Sequence, residues 1–225
     1  MSTSTFDTNQ LVPPLENGDR LTREEFERRY QAMPNLKKAE LIEGIVYIAS
    51  PVRITNHGEP HANIMAWLGI YRANTAGIQL ADNTTVRLDK NNEPQPDALL
   101  RLQEGGESII TGDGYVEGAP EFIVEVAASV SIDTHAKLEA YRRHGVREYL
   151  IWRFDDGEID WLVLKSDRYV PLPPNANGIL CSQVFPGLWL DKEALLAGNL
   201  AKVIAVIQQG CASEEHRDFV NKISP

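Results

Sequence analysis

The sequence predicts an α/β protein of the α+β kind, in which a mixed β-sheet is flanked by helices. Short apolar runs typical of strands outnumber the helical patterns, and hairpin signals occur beside a strand-helix-strand unit. The 225 residues are enough to bury one sizeable core. We therefore expect a single domain over residues 21–209, with a flexible arm at 1–20 and a tail at 210–225.

Helical and strand patterns alternate in the first half of the chain. Thr22 and Glu25 form a capping-box pattern that marks a helix start, and Glu43 and Gly44 supply a turn that favours a hairpin. The expected elements are a helix at about 22–32, a hairpin over 40–48, a helix from about 57 to 77, and strands at about 78–88 and 96–102.

The second half contains the strand-helix-strand unit. Gly145 closes its helix, and a turn ending at Gly157 lies between two further apolar runs. Residues 104–118 are polar and rich in glycine, so we expect a surface loop, and the tail from Gly210 should be loosely held. The other expected elements are a strand at 121–128, a helix at 133–144, strands at 147–154 and 158–164, and a short strand with one or two helices over 185–207.

Composition limits the partners and the compartment. A net charge of −10 argues against a protein that coats nucleic acid, but a nuclease is compatible with it because metal sites concentrate acidic residues. Cys181 and Cys211 lack metal-ligand spacing, and a reducing cytoplasm is expected. No apolar stretch approaches the roughly 20 residues that span a bilayer, and no signal peptide is recognisable. We expect no membrane partner.

Three residues indicate chemistry. Glu125 lies in an apolar run typical of a doubly buried strand, where an unpaired carboxylate needs a metal, a cation or a proton. Asp97 opens another apolar run, and Lys137 follows Glu125 on the next predicted helix, from which it can reach back over the strand end. Two acids and a lysine are typical of metal-assisted hydrolysis, and no phosphate-loop, dinucleotide or serine-nucleophile motif indicates another chemistry.

Each of these residues also has a structural interpretation. Glu125 could be satisfied by a neighbouring arginine or tyrosine, and Asp97 could be an ordinary turn carboxylate. Lys137 could pair with Asp133 one helical turn earlier.

Four more residues are candidates for the same region. Glu40 either faces solvent or faces the same site, if the hairpin packs over it. His57 and His61 flank a helix start, where a structural role is favoured over metal binding. Tyr141 shares a helix face with Lys137, and core packing is its favoured role.

Short motifs occur in a fixed order along the chain. They are Glu40-Leu-Ile-Glu-Gly, Pro96-Asp97, Pro120 to Val126, Lys137, Tyr141, and Gly145 to Tyr149. This order resembles the Uma-type putative restriction endonuclease family of the PD-(D/E)XK, restriction-endonuclease-like superfamily. The similarity covers about residues 21–200 and implies a restriction-endonuclease-like fold.

The resemblance also implies roles for individual residues. Asp97 and Glu125 would bind Mg²⁺, for which Mn²⁺ can substitute, together with the backbone carbonyl of Val126. The usual lysine two residues after the acid is replaced by Ala127, so Lys137 would supply the ammonium. As a further catalytic residue, Glu40 would orient Lys137 or a water.

The implied activity is hydrolysis of phosphodiester bonds of DNA by a metal-dependent endonuclease. A homodimer is expected, because cutting both strands of a duplex requires two active sites. Two alternatives stay open: a non-catalytic binding or scaffold protein with the nuclease fold, and a phosphodiesterase that acts on a substrate other than DNA.

Overall fold

The computed structural model describes residues 12–48, 57–128 and 132–223 of the chain. Six of its strands form the central sheet. The strands are β1 (Ala39–Ile42), β2 (Ile45–Ile48), β3 (Ile78–Asp82), β4 (Val86–Arg87), β5 (Ala98–Leu102), β6 (Ile109–Ile110), β7 (Val116–Glu117), β8 (Phe122–Ala127), β9 (Glu148–Arg153), β10 (Glu158–Lys165), β11 (Arg168–Pro171), β12 (Leu180–Cys181) and β13 (Trp189–Leu190). The helices are α1 (Arg23–Gln31), α2 (Glu59–Asn74), α3 (Ile132–His144), α4 (Lys192–Leu196), α5 (Leu200–Cys211) and α6 (Glu214–Ile223).

The central sheet is mixed, as the sequence predicts. Its strand order is β11-β10-β9-β8-β5-β3. Strands β8 and β9 run parallel and are connected by α3, whereas every other neighbouring pair in this sheet is antiparallel. The strand-helix-strand unit of the sequence is therefore the parallel β8-α3-β9 unit at the centre of the fold.

Strand β8 separates two cores, because successive side chains of a strand point to opposite faces. Phe122 and Val124 point into the larger core, which α2 and the C-terminal helices cover. Ile123 points into the smaller core, where Tyr141 of α3 packs. Glu125 shares the face of Ile123, so the strand period itself brings an acid into the layer beneath α3.

The first hairpin and α1 form a third layer with its own small core. The hydroxyl of Thr22 accepts the backbone N–H of Glu25 at 3.5 Å, as the capping box predicts. Glu43 and Gly44 adopt φ values of 54° and 71°, which a two-residue hairpin turn of type I′ requires. Strand β1 contacts α3, and this contact brings Glu40 towards the central sheet.

The second half of the expected arm is ordered against this hairpin. Gly18 donates its N–H to the carbonyl of Val46, and the N–H of Val46 donates to Asp19. Leu15 is buried beside them. Residues 12–20 therefore differ from the expectation because strand β2 offers them backbone partners, and residues 1–11 lie outside the described part.

The loop expected over 104–118 contains the short strands β6 and β7, which pair with each other and with β4. Its partners come from neighbouring strands. Arg101 donates to the hydroxyl and carbonyl of Ser108, and the carboxylate of Glu121 accepts the N–H groups of Leu102 and Glu107. The segment lies mostly at the surface, as expected, but it is more ordered than its sequence suggests because these anchors are distant in sequence.

The end of the chain is more ordered than its sequence suggested. Strand β11 extends the sheet beyond β10, and α6 forms where a loosely held tail was expected. Its His216 is buried and lies 2.9 Å from the hydroxyl of Thr75. The long-range contact with α2 explains the difference. Among the described helices, none is long and apolar enough to cross a bilayer.

Candidate active site

Two acids lie side by side on neighbouring strands. Strands β5 and β8 are antiparallel, with Ala98 opposite Val124. Continuing this register by one residue places Asp97 opposite Glu125 on the same face of the sheet. The N–H of Val126 donates to Oδ2 of Asp97 at 2.8 Å and joins the two strand ends.

Lys137 of α3 forms salt bridges with Glu125 on β8 and with Glu40 on β1. Its Nζ lies 3.1 Å and 3.2 Å from the two carboxylate oxygens of Glu125. It also lies 2.8 Å from Oε1 of Glu40, which β1 brings in from the hairpin. The side chain of Asp133, its alternative partner, lies outside the described part. Lys137 therefore bridges two acids that are 85 residues apart in the chain.

Two further donors fix these acids. The hydroxyl of Tyr141 donates to Oε1 of Glu125 at 2.8 Å, one helical turn after Lys137. The backbone N–H of Gln95 donates to Oε1 of Glu40 at 2.6 Å. Hydrogen bonds of this kind satisfy carboxylates that are nearly excluded from water. Tyr141, expected only to pack in the core, also orients an acid of the site.

Asp97 has a different cation from Glu125. Its Oδ1 lies 3.1 Å from Nζ of Lys38, which also donates to Oδ1 of Asn83 at 3.2 Å. The ring of His57 places Nε2 at 3.6 Å from the same carboxylate oxygen. Lys38, which no sequence pattern indicated, is therefore part of the cluster.

The two histidines at the start of α2 face backbone carbonyls of the acid-bearing strands. Nδ1 of His57 donates to the carbonyl of Val126 at 3.0 Å, and Nε2 of His61 donates to the carbonyl of Asp97 at 3.0 Å. His61 also lies 3.0 Å from Asp82. The carbonyl of Val126, expected to bind a metal, thus contacts a histidine in this structure.

The burial of the cluster changes its proton affinities. Burial raises the pKa of Glu125 to about 7, partly offset by Lys137. Burial also opposes the charges of Lys137 and Lys38, but the neighbouring carboxylates outweigh it and raise the pKa of both ammonium groups. Asp97 has a lowered pKa, since Lys38 and His57 outweigh its burial. Both lysines stay charged, and Glu125 titrates near neutral pH.

The charges of the cluster are unequal. Three carboxylates, of Glu40, Asp97 and Glu125, face the ammonium groups of Lys38 and Lys137. These five groups thus include more carboxylates than lysines, and the carboxylates of Asp97 and Glu40 add to burial in raising the pKa of Glu125. A further cation in this region is electrostatically favoured.

Oxygen donors are the groups that could hold such a cation. The carboxylates of Asp97 and Glu125 and the carbonyl of Val126 form the set that Mg²⁺ and Mn²⁺ prefer. Within the described residues, however, no three side chains of His, Cys, Asp or Glu are grouped closely enough to hold a metal ion. The donor chemistry fits a divalent cation that keeps several of its waters.

The structure brings together Glu40, Glu125 and Lys137 by direct contact and sets Asp97 beside them through Val126. Sequence reasoning missed Lys38. No local signal was available, because Lys38 precedes β1 and its partner Asp97 lies 59 residues further along the chain.

A mixed sheet with acids on adjacent strands and a lysine from the following helix defines a restriction-endonuclease-like protein. The chain is similar to the family model described as "Uma2: Putative restriction endonuclease" over residues 23–193. This match spans most of the chain, and the chain belongs to that family.

A solved structure has the same fold. It is the crystal structure of "a putative nuclease belonging to DUF820" from Anabaena variabilis, with a TM-score of 0.52 and 13% sequence identity. The alignment covers 75% of this chain and 97% of that chain. The comparison with curated proteins found no match. The predicted family and fold are confirmed.

Proposed function

We propose that this protein is a metal-dependent endonuclease that hydrolyses phosphodiester bonds of DNA at Asp97, Glu125 and Lys137. The observation that carries the proposal is the contact of 3.1 Å between Lys137 and Glu125, beside Asp97 on the adjacent strand. Two acids side by side on adjacent strands and an ammonium group from α3 are the parts that metal-assisted hydrolysis needs. Family membership supports nuclease chemistry.

A divalent cation would be held by Asp97, Glu125 and the carbonyl of Val126. The oxygen donors of the cluster and its excess of carboxylates over lysines support this assignment. Mg²⁺ is the proposed ion, and Mn²⁺ is its substitute. When bound, such an ion supplies Lewis-acid polarisation of the phosphate and makes a nearby water more acidic.

The chain's own residues prepare this chemistry. Tyr141 and Lys137 hold the carboxylate of Glu125 in one orientation, and Glu40 in turn holds Lys137. The N–H of Val126 fixes the carboxylate of Asp97. Burial raises the pKa of Glu125 and Lys137 lowers it, and a bound divalent cation would favour the ionised carboxylate further.

Cleavage of a supercoiled plasmid with Mg²⁺ or Mn²⁺ tests the proposal. The wild type is expected to nick or linearise the plasmid, and Asp97→Ala and Lys137→Ala are expected to lose activity. Asp155→Ala and Lys165→Ala, at exposed positions of the same residue types, serve as matched controls and should stay active. Activity that survives both site substitutions would refute the assigned roles.

A non-catalytic binding or scaffold protein is the second candidate. One observation favours it: all four carboxylate oxygens of Asp97 and Glu125 already accept hydrogen bonds from protein groups. Calorimetric titration with Mn²⁺ separates the candidates, because a scaffold should show no heat that depends on these two acids. A screen of other phosphodiesters distinguishes a substrate other than DNA.

Assembly and location are parts of the same proposal. A homodimer would let two active sites cut the two strands of a duplex, and sedimentation velocity measures this directly. The chain is proposed to work in a reducing cytoplasm, which is compatible with its free cysteines, Cys181 and Cys211.

A further inference from the structure

The two lysines of the cluster are not equivalent. Nζ of Lys137 has three N–H groups, and three carboxylate oxygens lie within 3.2 Å of it. These oxygens belong to Glu40 and Glu125, and the side chain of Lys137 is only 9% exposed. All donors of Lys137 are therefore engaged inside the protein.

Lys38 has a donor to spare. Within the described part of the chain, its Nζ donates to one oxygen of Asp97 and one of Asn83, at 3.1 Å and 3.2 Å. One of its three N–H groups is not used by these contacts. Its side chain is 24% exposed, against 9% for that of Lys137, so Lys38 is the more accessible of the two lysines.

Lys38 lies where a phosphate group that approaches Asp97 could contact it. It contacts Oδ1 of Asp97, whereas the other oxygen of Asp97 is held by the N–H of Val126. A polyanion that approaches the acids meets carboxylates that repel it, and Lys38 is the more accessible of the two lysines that contact them. An ammonium group binds phosphate oxygens as a point charge.

We propose that Lys38, rather than Lys137, contacts the phosphodiester and donates its remaining N–H to a non-bridging phosphate oxygen. Lys137 is then a positioning residue, which holds Glu40 and Glu125 together from inside. This assignment rests on the proposed function, since it names the substrate-binding group of the same site.

The test is the binding of a short fluorescent DNA duplex by the full chain, measured by anisotropy in EDTA over a series of salt concentrations. For Lys38→Met we expect weaker binding and a log K against log salt slope reduced in magnitude by about 1, the value for one lost phosphate contact. Lys38→Arg should keep the slope. Lys37→Met removes the same charge at the adjacent exposed position and should change the slope less.

A double-mutant comparison excludes an indirect effect through Asp97. If Lys38 only neutralised Asp97, the effect of Lys38→Met would vanish in an Asp97→Asn background. A direct phosphate contact predicts the same loss of slope in both backgrounds.

The outcomes separate the two proposals. Wild-type binding that Lys38→Met leaves unchanged, or an effect that disappears with Asp97→Asn, overturns the role of Lys38 and leaves the nuclease proposal standing. A wild type that neither binds nor cuts DNA under any metal condition overturns the proposed function together with this inference.

Discussion

Nζ of Lys137 lies 3.1 Å and 3.2 Å from the two carboxylate oxygens of Glu125, twelve residues earlier in the chain. This contact joins the central strand β8 to the helix that follows it. Both side chains are almost excluded from water. Charges in such a place are stable only as a pair.

Removal of one partner should be costly. Lys137→Met keeps most of the side-chain volume but leaves the carboxylates of Glu125 and Glu40 without their ammonium group. We expect the free energy of unfolding to fall by about 3–5 kcal/mol, as for other broken buried pairs. Urea denaturation measures this value. Lys165→Met, at an exposed position of β10, should change it by less than about 0.5 kcal/mol.

Two tyrosines provide a matched pair for the hydrogen bond to Glu125. Tyr141→Phe removes a hydroxyl that donates to Glu125 at 2.8 Å, and we expect a loss of about 1–3 kcal/mol. The hydroxyl of Tyr149, whose ring lies 5.4 Å from that of Tyr141, is buried and has no hydrogen-bond partner among the described residues. Tyr149→Phe should therefore be neutral or stabilising. If thermal denaturation showed the same loss of stability for Tyr141→Phe and Tyr149→Phe, the hydrogen bond assigned to Tyr141 would be contradicted.

A buried acid outside the site should make stability depend on pH. Burial, reinforced by Glu27, raises the pKa of Glu93 to about 8. The folded state then binds a proton that the unfolded state releases above its ordinary pKa of 4.5. The contribution of Glu93 to the free energy of unfolding is therefore full below pH 4.5 and falls as the pH rises to about 8.

The comparison of wild type with Glu93→Gln isolates this effect. The variant cannot titrate at this position, so the difference in unfolding free energy between the two proteins should change between pH 5 and pH 8 and be constant above. Denaturation at several pH values measures it. A difference that is independent of pH over this window would show that Glu93 does not take up the proton.

Asp97→Asn keeps the shape of the side chain and removes its charge. If Asp97 holds a divalent cation, the cleavage rate should fall by about 10³-fold or more, which corresponds to about 4 kcal/mol of transition-state stabilisation. Asp155→Asn, in an exposed turn, is the matched control and should cut at the wild-type rate. If Asp97→Asn and Asp155→Asn cleaved DNA at comparable rates, the assignment of Asp97 as a metal ligand would be wrong.

Local patterns in the sequence predict the fold better than they predict the cluster. The capping box at Thr22, the hairpin turn at Gly44 and the apolar run around Glu125 depend on neighbours in the chain, and the structure contains the elements they predict. The salt bridge from Lys38 to Asp97 spans 59 residues and exists only once β1 packs over the sheet. No periodicity can report such a contact.

The same reasoning explains the segments that were misjudged. Ser108 is polar and lies in a run rich in glycine, but Arg101 binds it from β5. His216 lies near the end of the chain, but Thr75 binds it from the end of α2. In both cases the ordering partner is distant in sequence and invisible to local pattern.

A crystal structure of the full chain soaked with Mn²⁺ tests the metal site most directly. We expect an anomalous peak that contacts the carboxylates of Asp97 and Glu125 and the carbonyl of Val126, at about 2.1 Å from the oxygen atoms. A peak elsewhere, or active crystals in which neither acid touches the ion, would contradict the proposal.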